Sequence, residues 1–167
     1  MMSERMLPED EEPYPKLIAR GYRMTSRINA KYNCVAWAAD WDTSRWIDPI
    51  LPREPGVDWP EDVPRGPHVE NYMQIFAKIG YFECEGPDLE EGFDKIAFWD
   101  DAQQFGFAHV ARQLPNGHWS SKLGDGNDIE HNTFDAVDCE NYPSAFKFMK
   151  RSIASRPAGY REPEFDR

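Results

Sequence analysis

The stretch 105-FGFAHVARQLPNGHWSSKL-123 constrains the fold more than any other part of the chain. Residues 105–113 and 118–123 both read as strands, and Asn116-Gly117 lies between them. Asn-Gly readily takes the positive φ angles of a tight hairpin, so the two runs are expected to pair antiparallel. A further run, 94-DKIAFWD-100, reads as a strand, and 143-PSAFKFMKR-151 as the last one.

Upstream of these runs the period changes. In 67-PHVENYMQIFAKIGYFEC-84, Val69, Tyr72, Met73, Phe76 and Ala77 fall at helical spacing, Pro67 opens the segment and Gly80 stops it. A shorter helix is expected from Cys34 to Ala39, with Asn33 as its cap. The segment 16-KLIARGYRMTS-26 reads as a short strand leading into a loop. Residues 40–66 carry Trp41, Trp46 and Trp59 among prolines at 49, 52, 55, 60 and 64, which makes an irregular wrap and not a linker. Helices followed by an antiparallel sheet give the α+β class. A chain of 167 residues fits one domain. Residues 1–15 are expected to be a disordered acidic tail, 16–155 the domain, and 156–167 a C-terminal tail without periodicity.

The formal net charge of −11 repels phosphate backbones, so nucleic acid is not the expected partner. No apolar run is long enough for a membrane span, and 1-MMSERMLPEDEEPYPK-16 has no apolar core of a secretory signal. The three cysteines, Cys34, Cys84 and Cys139, are odd in number and widely spaced. Reduced thiols and a cytoplasmic location are therefore expected.

Chemistry concentrates in 32-YNCVAWAAD-40. A cysteine heading a helix is either a packed small residue, here beside Trp37, or a nucleophile whose thiolate is favoured by unpaired main-chain N–H groups. Among the four histidines, His68 precedes a helix, His118 follows the turn, and His131 lies in the polar loop 125-DGNDIEHN-132. His109 alone sits inside an apolar strand, where it is either a satisfied core histidine or a rigidly held base. A base needs an orienting group on its second ring nitrogen, and the hairpin brings Ser120 and Ser121 beside it. Alternation lets only one of the two serines face His109, and the register does not follow from the sequence.

Cysteine on a helix, then histidine on a strand, then a polar residue on the next strand resembles the papain-like cysteine peptidase superfamily, in its compact bacterial form. The resemblance rests on Cys34, His109 and 120-SSKLG-124, with Ser121 at the third position. It implies a papain-like fold, with the cysteine-bearing helix packed on an antiparallel sheet. It also implies cysteine-dependent hydrolysis, deamidation or acyl transfer at a peptide or protein amide, through a thioester intermediate and without a cofactor. In that scheme Cys34 attacks, His109 moves the proton, Ser121 orients the ring, and Asn33, Trp37 and Trp41 serve the oxyanion or bind substrate. A second resemblance, from about residue 28 to 151, is to a bacterial family of uncharacterised proteins. It rests on 32-YNCVAWAAD-40, 108-AHVARQLPNGHWSSKLG-124, 128-DIEH-131 and 147-KFMKR-151.

Metal chemistry is not expected, because no Cys-x-x-Cys or His-x-x-x-His pair occurs and Ile129 stands where a calcium loop needs an oxygen ligand. The alternative to an enzyme is a non-catalytic binding, immunity or adaptor module acting through its acidic, tryptophan-bearing surface. The oligomeric state is not written in the sequence.

Overall fold

The computed structural model describes residues 5–51, 54–101, 106–140 and 145–163. Four α-helices are α1 (Pro8–Glu11), α2 (Pro15–Arg20), α3 (Cys34–Asp40) and α4 (Val69–Ala77). Seven strands form one antiparallel sheet: β1 (Arg23–Met24), β4 (Phe82–Cys84), β5 (Phe93–Asp101), β6 (Gly106–Gln113), β7 (Trp119–Lys122), β8 (Asp128–His131) and β9 (Ala145–Ser152). Their order is β1-β8-β7-β6-β5-β9-β4. A separate parallel pair, β2 (Trp46–Ile47) and β3 (Val57–Asp58), lies within the proline-rich wrap.

The expected hairpin forms, closed by a three-residue loop: Leu114 N–H donates to the His118 carbonyl, and Gly117, but not Asn116, holds a positive φ, +88°. Strand β5 is central. Its run Ile96–Trp99 is apolar at every position because both faces of the sheet are covered. On one face Ile96, Phe98, Val110 and Met149 pack against α3 and α4. On the other, Ala97, Trp99, Ala111, Trp119 and Ile129 pack against Leu17 of α2 and against Ala136 and Val137 of a short 3-10 turn. Helix α3 is buried at every position from Cys34 to Ala39, whereas α4 buries one stripe, Val69, Tyr72, Ile75 and Phe76.

Strand β6 contains a bulge. Trp99 pairs with His109, but the next residue of β5, Asp100, pairs with Phe107, so Ala108 is extra. This lets Phe107 and Val110 serve the same core although an odd number of positions separates them.

Four expectations are corrected. Residues 16–26 do not open as a strand: Pro15 starts helix α2, Gly21 ends it, and only Arg23–Met24 pair in the sheet. Residues 5–15 are not a loose tail, since Met6 is buried, α1 forms, and the Tyr22 hydroxyl donates to Glu11 Oε2 at 2.6 Å. Residues 128–131, read as part of a polar loop, are strand β8. The segment from Arg156 to Tyr160 is packed, with Tyr160 against Trp41 and Arg112. Residues 1–4 and 164–167 of the two expected tails lie outside the described residues, as do 143–144 of the expected last strand. Among the described residues no helix is long and apolar enough to cross a membrane.

Candidate functional site

Asn33 caps α3 as expected. Its Oδ1 accepts from Ala36 N–H at 3.1 Å and from Ile47 N–H at 3.3 Å, and its Nδ2 donates to the Ile47 carbonyl at 2.9 Å. The amide is thus committed at both ends, tying α3 to β2, and does not stand ready for an oxyanion. Trp37 donates its indole N–H to Ser120 Oγ at 2.9 Å, and Trp41 donates to the Tyr160 hydroxyl at 3.0 Å. Trp59 joins the core that contains Cys34, and Trp46 donates to the Ala30 carbonyl, so the three tryptophans of the wrap do not line one groove.

Cys34 lies under the sheet on the α3 side, 8% exposed, with the Val110 main-chain N–H turned to its sulfur. Burial pushes the thiol up to about 11. The nearby cation is Lys122, fully buried, whose Nζ donates to the Gly124 carbonyl at 2.7 Å and sits 4.8 Å from the Tyr32 ring. Burial lowers this ammonium to about 8, with Asp128 and Cys34 acting in the opposite sense. The Tyr32 hydroxyl donates to Asp128 Oδ1 at 2.6 Å.

His109 is on the other side. Its neighbour Val110 faces α3 and Cys34, and adjacent strand residues point to opposite faces. The His109 ring instead packs beside Trp99, 5.2 Å between centroids, in the core that faces α2. The expected Cys34–His109 pair is therefore not formed. The expected His109–Ser121 pair is formed, at 2.9 Å, and Ser120 faces the opposite way, toward Trp37. The chain continues: Ser121 Oγ is 2.8 Å from His131 Nε2, and His131 Nδ1 is 2.7 Å from the Thr133 carbonyl.

Every proton in this chain can be assigned. A carbonyl only accepts, so neutral His131 keeps its proton on Nδ1, and its Nε2 accepts from the Ser121 hydroxyl. The serine oxygen then accepts from His109 Nε2–H. Burial holds both imidazoles neutral, His109 down to about 3 and His131 to about 4. The sequence places His131 in a loop, because Asp128 and His131 are polar, yet both are fully buried in strand β8. His118 is half-buried and bound to Glu130, and His68 is exposed.

A second concentration of chemistry lies where β5 begins and β6 ends. Asp94, 6% exposed, accepts from Arg151 Nε and Nη2 at 3.1 and 2.9 Å and from Arg156 Nε and Nη2 at 3.0 and 2.7 Å. Arg112 Nη2 is 3.3 Å away. Burial alone raises an acid, but here Arg156, Arg112 and Arg151 outweigh it and hold the Asp94 carboxyl at about 2. Beside this cluster is a cleft of about 420 Å³, whose lining includes Trp41, Phe93, Arg112, Gln113 and Tyr160. No spacing in the sequence connects residues 94, 112, 151, 156 and 160. The available signal was an arginine set inside the apolar run 107–114, which a strand buries only if it is paired.

Among the described residues no group of three His, Cys, Asp or Glu is placed to hold a metal ion. The model of a family described as a domain of unknown function (DUF7689) matches residues 23–150. No curated protein and no solved structure matches the chain.

Proposed function

We propose that the chain, which belongs to the DUF7689 family, works as a binding module whose ligand enters the cleft beside Arg112, and not as a cysteine hydrolase. The observation that supports this reading is the sheet standing between Cys34 and His109. A nucleophilic cysteine needs its thiolate, and burial works against that form at Cys34. A general base must reach the proton it takes, and His109 is buried in the opposite layer with its Nε2–H given to Ser121. The cleft, by contrast, gathers aromatic and charged groups of both signs around accessible space.

The papain-like fold remains part of the proposal. A cysteine-headed helix packed on antiparallel strands β6 and β7 supports it. A cytoplasmic location is also proposed, supported by three free cysteines. One observation favours a second reading, cysteine chemistry at an amide. The Val110 N–H faces the sulfur, and Lys122 beside it, lowered to about 8, is closer to a proton acceptor than any ordinary lysine.

Alkylation separates the two. With iodoacetamide at pH 7.5, native Cys34 is expected to react more slowly than half-buried Cys139, and to match it only after unfolding. A thiol near 11 has roughly 300-fold less thiolate at that pH than one near 8.5. Labelling of Cys34 as fast as Cys139 in the folded protein would overturn the binding reading and restore the hydrolase.

A further inference from the structure

The side chain of Tyr160 sits in the cleft region as a ligand would. Its hydroxyl is the common acceptor of two donors from different elements, Trp41 Nε1 at 3.0 Å and Arg112 Nη2 at 2.9 Å. Its ring lies among three guanidinium groups, 4.2 Å from Arg156, 5.3 Å from Arg112 and 5.8 Å from Arg151. The Trp41 indole covers Arg112 from its own side at 4.3 Å. Cations over aromatic faces are attracted by the ring quadrupole, more so when desolvated.

The receptacle is not satisfied by this occupant. Arg112 Nε, buried and on a residue lining the cleft, has no hydrogen-bond partner. A buried donor or acceptor left unpaired is costly, and such groups ask for a partner the chain does not supply. Charge is balanced here: three guanidinium groups share the buried carboxylate Asp94, with Asp40 4.0 Å from Arg151 and Glu162 on Arg156, and Glu90 and Glu91 also line the cleft. What calls for an acceptor oxygen is the pair of donors on the Tyr160 hydroxyl together with the unpaired Arg112 Nε. Trp41 ends α3 at φ +55°, a left-handed conformation that is unfavourable for a side-chain-bearing residue and is retained where its surroundings demand it.

The segment that brings Tyr160 there is held by side chains, Arg156 on Asp94 and Tyr160 on Trp41 and Arg112. Its main-chain bond is internal, Tyr160 N–H to the Pro157 carbonyl, and Gly159 turns it at φ +84°. It also lies beyond the residues matched by the family model, which end at 150, whereas Trp41, Asp94 and Arg112 lie within them.

We infer that Trp41, Arg112 and the adjoining cleft form a binding site for a flat aromatic group carrying an acidic oxygen, and that Tyr160 is its displaceable internal occupant. The inference rests on the binding-module reading and names the ligand class for it. The ligand's ring takes the place of the phenol among the guanidinium groups. Its anionic oxygen accepts from Trp41 Nε1 and Arg112 Nη2, as the hydroxyl now does. A carboxylate, with a second oxygen, has acceptor capacity left for Arg112 Nε once the side chain adjusts.

Tyr160→Ala vacates the site while leaving the sheet intact. Calorimetric titration of this variant with benzoate and with p-cresol, the bare side chain of tyrosine, is expected to give saturable binding of both. Benzoate should bind about tenfold tighter than p-cresol, as charge-assisted bonds exceed neutral ones. The unsubstituted chain should bind benzoate about tenfold more weakly than the variant, because Tyr160 competes. Trp41→Phe in the Tyr160→Ala background, which keeps a ring but removes the N–H, should weaken benzoate again. Should Tyr160→Ala fail to fold, Tyr160→Phe keeps the packing and removes the shared oxygen, and it should bind benzoate more tightly than the unsubstituted chain. No saturable binding to the folded variants, equal binding with and without Tyr160, or indifference to Trp41→Phe each overturns the site. Benzoate no tighter than p-cresol overturns the acidic oxygen. Cys34 labelling is independent of all these titrations, so a failed site and a failed binding reading are told apart.

Discussion

Between pH 6.5 and 4.5 the protein is expected to lose about 5 kcal/mol of stability, enough to unfold a domain of ordinary stability. The cause is the pair His109 and His131. Both are fully buried, and burial lowers them to about 3 and 4. In the unfolded chain each titrates near 6.5. A folded pKa below the unfolded one means that the unfolded state binds the extra protons as pH falls. The stabilisation is therefore complete above about pH 7.5 and disappears progressively as pH falls toward 3. With two protons taken up on unfolding, the slope approaches about 2.7 kcal/mol per pH unit. The geometry explains why neither ring can simply accept a proton and stay. His131 Nε2 already accepts from Ser121, and a second ring proton would set two donors against each other. Urea titrations at pH 7.5, 6.0, 5.0 and 4.5 measure the slope. His131→Gln, which retains an acceptor for Ser121, should reduce it toward one proton. Stability unchanged between pH 7.5 and 5.0 would contradict the buried neutral chain.

Asp94→Asn is expected to cost about 3–5 kcal/mol at neutral pH, the loss typical when one partner of a buried ion pair is removed. The amide keeps the shape and one acceptor of the carboxylate but leaves Arg112, Arg151 and Arg156 without their shared counter-charge. Two of these guanidinium groups are at most 1% exposed, so water cannot take over. Glu83→Gln is the control, since that carboxylate is 54% exposed and its partner Lys147 35%, an ion pair that solvent screens. Comparable urea midpoints for the two variants would refute the central role of Asp94. The carboxyl also contributes to acid sensitivity in a lower window than the histidines. Held at about 2 against an unfolded value near 3.9, it stabilises above pH 4, and that contribution is lost as pH falls toward 2.

The elements legible in the sequence were those whose pattern is local. Asn33 announces α3, Asn116-Gly117 the β6–β7 hairpin, and the unbroken apolar run 96–99 a strand covered on both faces. Pro15 and Gly21 carried the signal for α2, but the β-branched Ile18 between them reads equally as strand. Strand β8 was hidden because its apolar alternation is replaced by buried polar pairing through Asp128 and His131. At the candidate site the hairpin brought both serines near His109, left open which of them meets it, and did not say which face the resulting His109–Ser121 pair takes. That face depends on where the bulge falls and on pairing between segments far apart, neither of which leaves a local mark. The arginine cluster was illegible for the same reason: its members come from β5, β6, β9 and the turn after it.

The bulge at Ala108 makes chain length decisive in one short stretch. Without Ala108, Phe107 and His109 become consecutive residues of a regular strand, and each keeps the side of the sheet it now has. One residue fewer between Val110 and Gln113, with the β7 pairing kept, would instead rotate His109 through the sheet into the layer that holds Cys34. Sulfur and imidazole in this scaffold are thus a single codon away from sharing a compartment.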